Sequence, residues 1–346
     1  MKNTKYLLIA LLLFIASVSA GFIVSCSTSA SRGPKPSADT LDDTEVEQSE
    51  DVGIQVEETP IEVEKPPLVF EGQKAYEIVK VLSQDIGVRV QGSSEEKLAA
   101  DAMADMLRGY GCDTVYLQSF PLPDGSISQN VIAVVEGENP AFSIVVGGHI
   151  DSRSTTPGAN DNASGASTTM ELARVFAHNG SYPTLIFILF GSEEDHGEIT
   201  REHLYSHYGS RHYVASMTYQ ERERLIGMFS LDMVGYGNGL FARYMGIGPM
   251  KLVDMIYAFG NTNGYPLGTM QGGNLSDHEP FEKAGIPSVW MEYMIDGSYD
   301  PLVHKSEDTL SHVSPTNLKY TGDLLQRFFE SLDLNKCEEL KAAKRV

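Results

Sequence analysis

The chain has 346 residues and a formal net charge of −21, from 47 acidic against 26 basic side chains. That balance argues against nucleic acid as a partner, because phosphate contacts need clustered Lys and Arg; the clearest basic cluster is Lys341, Lys344 and Arg345 at the C-terminal end. With 3 cysteines and no Cys-x-x-Cys pair, a thiolate zinc site is unsupported.

Lys2 and Lys5 precede an apolar stretch over 6–24, broken by Ser17, Ser19 and Gly21, which is the pattern of a secretory signal. It ends in Ile23-Val24-Ser25-Cys26, which resembles a bacterial lipoprotein signal and so implies cleavage after Ser25 and a lipid on Cys26. The same stretch is almost long enough to span a bilayer uncleaved. On either reading, residues 1–25 predict an exported protein, tethered to the membrane through the Cys26 lipid or an N-terminal anchor, at the cell surface or in the periplasm. Residues 26–67 are polar, contain Pro34, Pro36, Pro60, Pro66 and Pro67, and carry eleven acidic residues between Asp39 and Glu64. No apolar period there can build a core, so the segment reads as a disordered acidic linker that repels itself and extends. Cys112 and Cys337 are able to pair outside the cytoplasm or to remain two thiols, and the sequence leaves both open.

Residues 68–334 read as one domain. Amphipathic helices are expected over 71–82 and 95–110; in the second, Leu98, Ala102, Met106 and Tyr110 share a face and Gly109 and Gly111 supply the stop. Strands follow over 114–120 and 130–135, separated by a turn at Pro123-Asp124-Gly125. Next come a strand before His149, a helix over 166–178, a strand before Glu193, a helix near 211–217 and a strand before Asp232. Helices near 250–261 and 279–284, a strand over 288–294 and a helix over 315–332 complete the domain. Residues 335–346 read as a C-terminal tail. Strands alternating with helices predict an α/β fold: three αβα layers around a mixed, mostly parallel sheet.

The chemistry sits at the strand ends. His149 lies in Gly-Gly-His149-Ile-Asp151 after an apolar run, and Asp161 lies in a loop of small residues, Gly-Ala-Asn-Asp161-Asn-Ala-Ser-Gly. Glu193 and Glu194 follow Thr184-Leu-Ile-Phe-Ile-Leu-Phe-Gly-Ser, Asp232 follows Ile226-Gly-Met-Phe-Ser-Leu, and His304 comes far along the chain. Ligands collect outside the carboxyl ends of strands in such sheets. Two His and three carboxylates brought together there suit a pair of divalent ions, which is a hydrolytic arrangement. Each residue alone has a duller explanation: Asp161 as a helix N-cap, the Glu pair as a solvated acidic loop, His149 as a structural His. Asp277 and His278 either line the site or serve the start of the helix at 279. His196, His203, His207 and His212 read as surface residues of an insertion. No Gly-x-Ser-x-Gly and no His-Glu-x-x-His occurs, so a nucleophile elbow and a helix-borne zincin site are unsupported.

Taken in order, these segments resemble the M28 family of metallopeptidases, the co-catalytic zinc aminopeptidases, over roughly 71–332. Ser276-Asp277-His278-x-x-Phe281-x-x-x-Gly285-Ile-Pro is similar to a stretch common in that family. The resemblance implies two zinc ions per chain, with His149 and Asp232 on one, Glu194 and His304 on the other, and Asp161 bridging. It implies Glu193 as general base and proton shuttle, acting on a metal-bridging water, and Asp151 orienting His149. The implied substrates are peptides with a free N-terminus; no protein partner is identifiable. Two departures bear on specificity. Val303 stands where some members carry a Tyr thought to steady the oxyanion, with Tyr293 and Tyr299 as substitutes. The link over 195–208 is longer than usual. A glutaminyl-cyclase-like activity, or a carboxypeptidase-like one using Arg201, Arg211 or Arg243 as a cationic clamp, is the alternative on the same fold. A surface-binding lipoprotein without activity is the alternative of a different class.

Overall fold

A computed structural model of the chain describes residues 66–194 and 206–345. Contacts divide the chain into Met1–Pro66 and Pro67–Val346, and the second unit carries every element described. Residues 1–65, where the signal and nearly all of the linker are expected, lie outside the described residues, as do His196, Arg201 and His203. Among the described residues no helix is long and apolar enough to cross a membrane.

Two helices come first, α1 (Gly72–Lys80) continuing into a wider turn at Val81–Ile86, and α2 (Ser94–Tyr110). Ser93 caps α2 by accepting from the Glu96 N–H, and Gly111 ends it at a left-handed φ of 86°. Strands β1 (Thr114–Pro121), β2 (Ile127–Val135) and β3 (Asn139–His149) lead to α3 (Ser164–Asn179) and β4 (Pro183–Phe190). Then come α4 (Tyr208–Ser216), α5 (Tyr219–Arg224), β5 (Leu225–Leu231), β6 (Gly239–Tyr244), α6 (Lys251–Thr262) and β7 (Gly268–Gln271). The chain closes with α7 (His278–Lys283), β8 (Ser288–Met294), α8 (Pro315–Glu330) and α9 (Leu334–Ala343).

The eight strands form one sheet in the order β1-β2-β4-β3-β5-β8-β6-β7. Its centre, β4-β3-β5-β8, is parallel throughout. The hairpin β1–β2 joins β4 antiparallel on one side, and β6 joins β8 antiparallel on the other. At the far edge β7 pairs parallel with β6, so the sheet is mixed and mostly parallel, as expected. Central strands buried on both faces need apolar residues at odd and even positions. Val131, Ile144, Val146, Leu185 and Phe187 pack into one core with α1, α2, α3 and α8, while Ile132, Val145, Ile188 and Phe190 pack into a second core with α4 and α7. Phe229 anchors the first core edge-to-face between Phe328 and Phe329, at centroid distances of 5.6 and 5.3 Å.

The expected tail is a correction. Residues 334–343 form α9, capped by Asp333 accepting from the Lys336 N–H, with Cys337 and Leu340 fully buried in the first core. Only Cys337 and Leu340 are buried, too few anchors to reveal a helix by periodicity. Cys112 and Cys337 are both free thiols. Strands β6 and β7 were not legible because they are short, and β7 lies at the sheet edge with half of its residues exposed.

Candidate active site

Strands β3, β4 and β5 run parallel, so their carboxyl ends deliver His149, Glu193-Glu194 and Asp232 to one rim. The loop after β3 brings Asp161 to the same place immediately before α3, and the Asp161–Asn162 peptide is cis. Close approach explains the small residues around it. A Cβ on Gly165 would lie 1.9 Å from the Leu231 carbonyl oxygen, next to Asp232, so only glycine lets α3 start against the end of β5. His304 reaches in from the segment after β8 at a left-handed φ of 61°, its carbonyl accepting from Thr155 Oγ1 at 3.0 Å.

All five expected metal ligands converge. Asp161 is the hinge of the arrangement: Oδ1 lies 3.3 Å from His149 Nε2, and Oδ2 lies 3.2 Å from His304 Nε2. His149 Nε2 also lies 3.6 Å from Asp232 Oδ1 and 3.7 Å from Glu193 Oε2, and His304 Nε2 lies 3.4 Å from Glu194 Oε2. Two sets of ligand atoms result, His149-Glu193-Asp232 and Asp161-Glu194-His304. Tetrahedral bonds of about 2.0–2.1 Å place neighbouring ligand atoms roughly 3.3 Å apart, the spacing seen here. Glu194 Oε1 and Asp232 Oδ1 are buried without a hydrogen-bond partner. A buried carboxylate oxygen left bare is costly, so these atoms fit cation ligation better than a purely structural role.

The charge balance says the same. Asp151, Asp161, Glu193, Glu194 and Asp232 are all buried within one rim. Burial opposes charge on His149, yet Glu193, Asp151, Asp161 and Asp232 together hold its imidazole well above the ordinary value. Burial and the neighbouring Asp161 charge both push Glu194 up. Glu193 is pushed up to about 7 by burial, against the pull of His149 and His207. His304 is raised to about 10 by Asp161 and Glu194, which outweigh burial. So many carboxylates in so small a volume need positive charge, supplied by imidazolium or by metal.

Asp151 does more than the His-x-Asp spacing suggests. Its Oδ1 lies 3.4 Å from His149 Nδ1, the expected orienting contact. Its two oxygens also accept the backbone N–H groups of Glu193 (3.0 Å) and Glu194 (3.1 Å), so one carboxylate aligns both strand ends.

Several residues at the site were not read as such from the sequence. His207 is a correction: expected on the surface, it is 3% exposed, with Nε2 3.0 Å from Glu193 Oε1 and Nδ1 3.2 Å from Glu279 Oε2. Its signal was its place two residues before Gly209, which packs against Gly191 at the end of β4. Arg153 donates from Nε to Glu194 Oε2 at 2.8 Å. Asp308 and Arg89 fix the Asp161 loop from behind. Asp308 accepts the Asn160 and Asp161 N–H groups, and the fully buried Arg89 donates to five carbonyls, those of Leu82, Gly87, Ile150, Pro157 and Gly158.

The remaining candidates divide. Asp277 is fully buried at the head of α7 but makes no cap bond; burial pushes it up to about 8, with the Glu193 charge adding. His278 lies over Trp290 at 5.5 Å, and burial pushes it down to about 3. Tyr293 is buried in the first core, whereas Tyr299 is half exposed and its hydroxyl accepts from Arg243 Nη2 at 2.8 Å. Arg211 pairs with Glu279 and Arg243 with Glu292, so neither is spare for a substrate carboxylate.

Aminopeptidase YwaD of Bacillus subtilis (strain 168) is 31% identical over 207 residues, covering 57% of this chain and 43% of that relative. The chain thus spans under half the length of that curated relative. In fold, the chain is similar to BSAP, a zinc aminopeptidase from Bacillus subtilis, with a TM-score of 0.70 at 22% identity over 78% of this chain and 97% of that one. It is also similar to a Bacteroides thetaiotaomicron glutaminyl cyclase bound to N-acetylhistamine, with a TM-score of 0.66 at 19% identity over 78% and 100%. The model of peptidase family M28 matches residues 130–329, more than half of the chain, and the chain belongs to that family.

Proposed function

We propose that the chain is a zinc-dependent aminopeptidase that hydrolyses the N-terminal bond of peptides with a free amine. The observation that carries this reading is Asp161, whose two oxygens face imidazoles belonging to two separate ligand sets. In this reading His149 and Asp232 would hold one zinc, Glu194 and His304 the other, with Asp161 facing both sets. Zinc bound there would supply Lewis acidity toward the scissile carbonyl and make water more acidic. Glu193 has one oxygen tied to His207 and the other turned toward the ligand atoms, which suits a general base. It takes the proton of the attacking water and returns it to the leaving amine. Asp151 keeps Glu193 and His149 aligned through the contacts already described. The relatives named aminopeptidase support the same activity.

The test is zinc content together with a substrate panel. About two zinc per chain and cleavage of a free-amine aminoacyl amide, but not of its N-blocked form, support the proposal. Protein that binds less than one zinc and cleaves neither, before or after zinc addition, overturns it. Cyclisation of an N-terminal glutaminyl peptide without release of any amino acid would point to the glutaminyl-cyclase-like activity instead.

We also propose export and tethering at the membrane. Lys2, Lys5, the apolar stretch over 6–24 and Ser25-Cys26 support this. Replacing Cys26 with Ser is expected to move the protein from the membrane to the soluble fraction; unchanged membrane association would exclude lipid on Cys26 as the tether.

A further inference from the structure

His207 is placed with unusual care for a residue outside the two ligand sets. Its backbone N–H donates to the Glu193 carbonyl at 2.8 Å, and Tyr208 and Gly209 donate to Ser192 and Gly191, so residues 207–209 are laced to the end of β4. It holds a left-handed φ of 58°, a conformation that costs energy in a residue with a Cβ. That cost directs the ring inward. Nε2 meets Glu193 Oε1 at 3.0 Å and Nδ1 meets Glu279 Oε2 at 3.2 Å.

Glu279 anchors the far side. It also accepts from Arg211 and Lys283, so it remains an ionised acceptor, and burial is outweighed by these cations and His207 to hold it down at about 2. The ring thus bridges two buried carboxylates, one at each nitrogen.

We propose that His207 is the positioning residue of the general base: it holds Glu193 Oε1 so that Oε2 stays turned to the metal ligands. The assignment rests on the aminopeptidase reading for its kinetic consequence, but not for its geometry. Glutamine places an amide N–H close to where Nε2 lies, and so can hold Glu193. Asparagine reaches only as far as Nδ1; it keeps Glu279, loses Glu193 and tolerates the left-handed backbone.

The test compares His207→Gln with His207→Asn in the full zinc-loaded chain, using a free-amine aminoacyl p-nitroanilide, zinc analysis and crystal structures. His207→Asn is expected to lower kcat by roughly 10–100-fold, with KM and zinc content near wild type. His207→Gln is expected to recover most of that loss. The crystal structure of His207→Asn should show the Glu193 carboxylate displaced, and that of His207→Gln should show it in place. Equal kcat in the two variants, loss of zinc in His207→Asn, or an unmoved Glu193 carboxylate there would each overturn the proposal. The crystallographic arm stands even if wild-type protein cleaves no aminoacyl substrate, an outcome that would count against the aminopeptidase reading alone.

Discussion

Asp308 accepts the backbone N–H of Asp161 on Oδ2 at 3.0 Å, while its Oδ1 takes the N–H of Asn160 at 2.7 Å. Asp161 is thus held by its main chain as well as by its side-chain contacts. The two amides point at different oxygens of one buried carboxylate, and an asparagine would turn a donating NH2 toward one of them. Asp308→Asn is expected to leave the fold intact and weaken zinc binding by roughly 10–100-fold. Zinc titration against a chelating dye measures this, and an affinity equal to wild type would show that Asp161 needs no such support.

Glu193 is flanked by His149 and His207 and is fixed at its backbone by Asp151. A glutamine there keeps the shape but cannot accept a proton. Glu193→Gln is expected to retain zinc and lose turnover by about 10²–10⁴-fold, with KM little changed. Steady-state kinetics on a free-amine substrate decide it; near-native kcat in a zinc-replete variant removes Glu193 from the role of base.

What the sequence displayed was tied to strand ends. His149, Glu193, Glu194 and Asp232 follow apolar runs whose strands pair in parallel, so the same physics that buries the run exposes the ligand at one rim. The groups that support them left no such mark. Arg89 and Asp308 are single charges whose role depends on contacts 61 residues apart or more, between Arg89 and Ile150 and between Asp308 and Asp161. His207 looked like one member of a His-rich insertion because its burial comes from Glu279, 72 residues further on. Helix α9 escaped for a related reason: its two buried residues, Cys337 and Leu340, are a face only once the sheet is there to receive them.

Arg89 is a stability test of the same loop. It is fully buried, and its guanidinium serves five carbonyls, among them those of Pro157 and Gly158 beside the Asp161 turn. Burial lowers its pKa to about 10, against Asp151, Asp308 and Asp161, so the side chain stays charged at neutral pH. Lysine has three donors and no fork, and it cannot serve carbonyls spread around a plane. Arg89→Lys is expected to cost on the order of 3 kcal/mol in urea unfolding, because buried acceptors lose a charged donor. A change within about 0.5 kcal/mol, the size expected of an exposed site, would show that water replaces those bonds freely.

Glu96 supplies a pH dependence away from the metal ligands. It is fully buried on α2, accepting from Gly92 N and Ser128 Oγ, each at 2.6 Å. Burial, aided by the Asp151 charge, raises its pKa from 4.5 to about 8. Between those two values the unfolded chain has released this proton while the folded chain keeps it, so the folded state binds more protons. Stability from this group is therefore complete below about 4.5 and declines as pH rises toward 8, at up to about 1.4 kcal/mol per pH unit. Glu96→Gln mimics the neutral acid and removes the dependence; the Ser128 hydroxyl can donate to it or accept from it. The variant is expected to gain stability relative to wild type across pH 5–8, read as a widening difference in urea midpoint. A difference that stays constant over that range would mean that Glu96 is already ionised in the folded protein at pH 5, with Ser128 and the Gly92 amide sufficient to hold its charge.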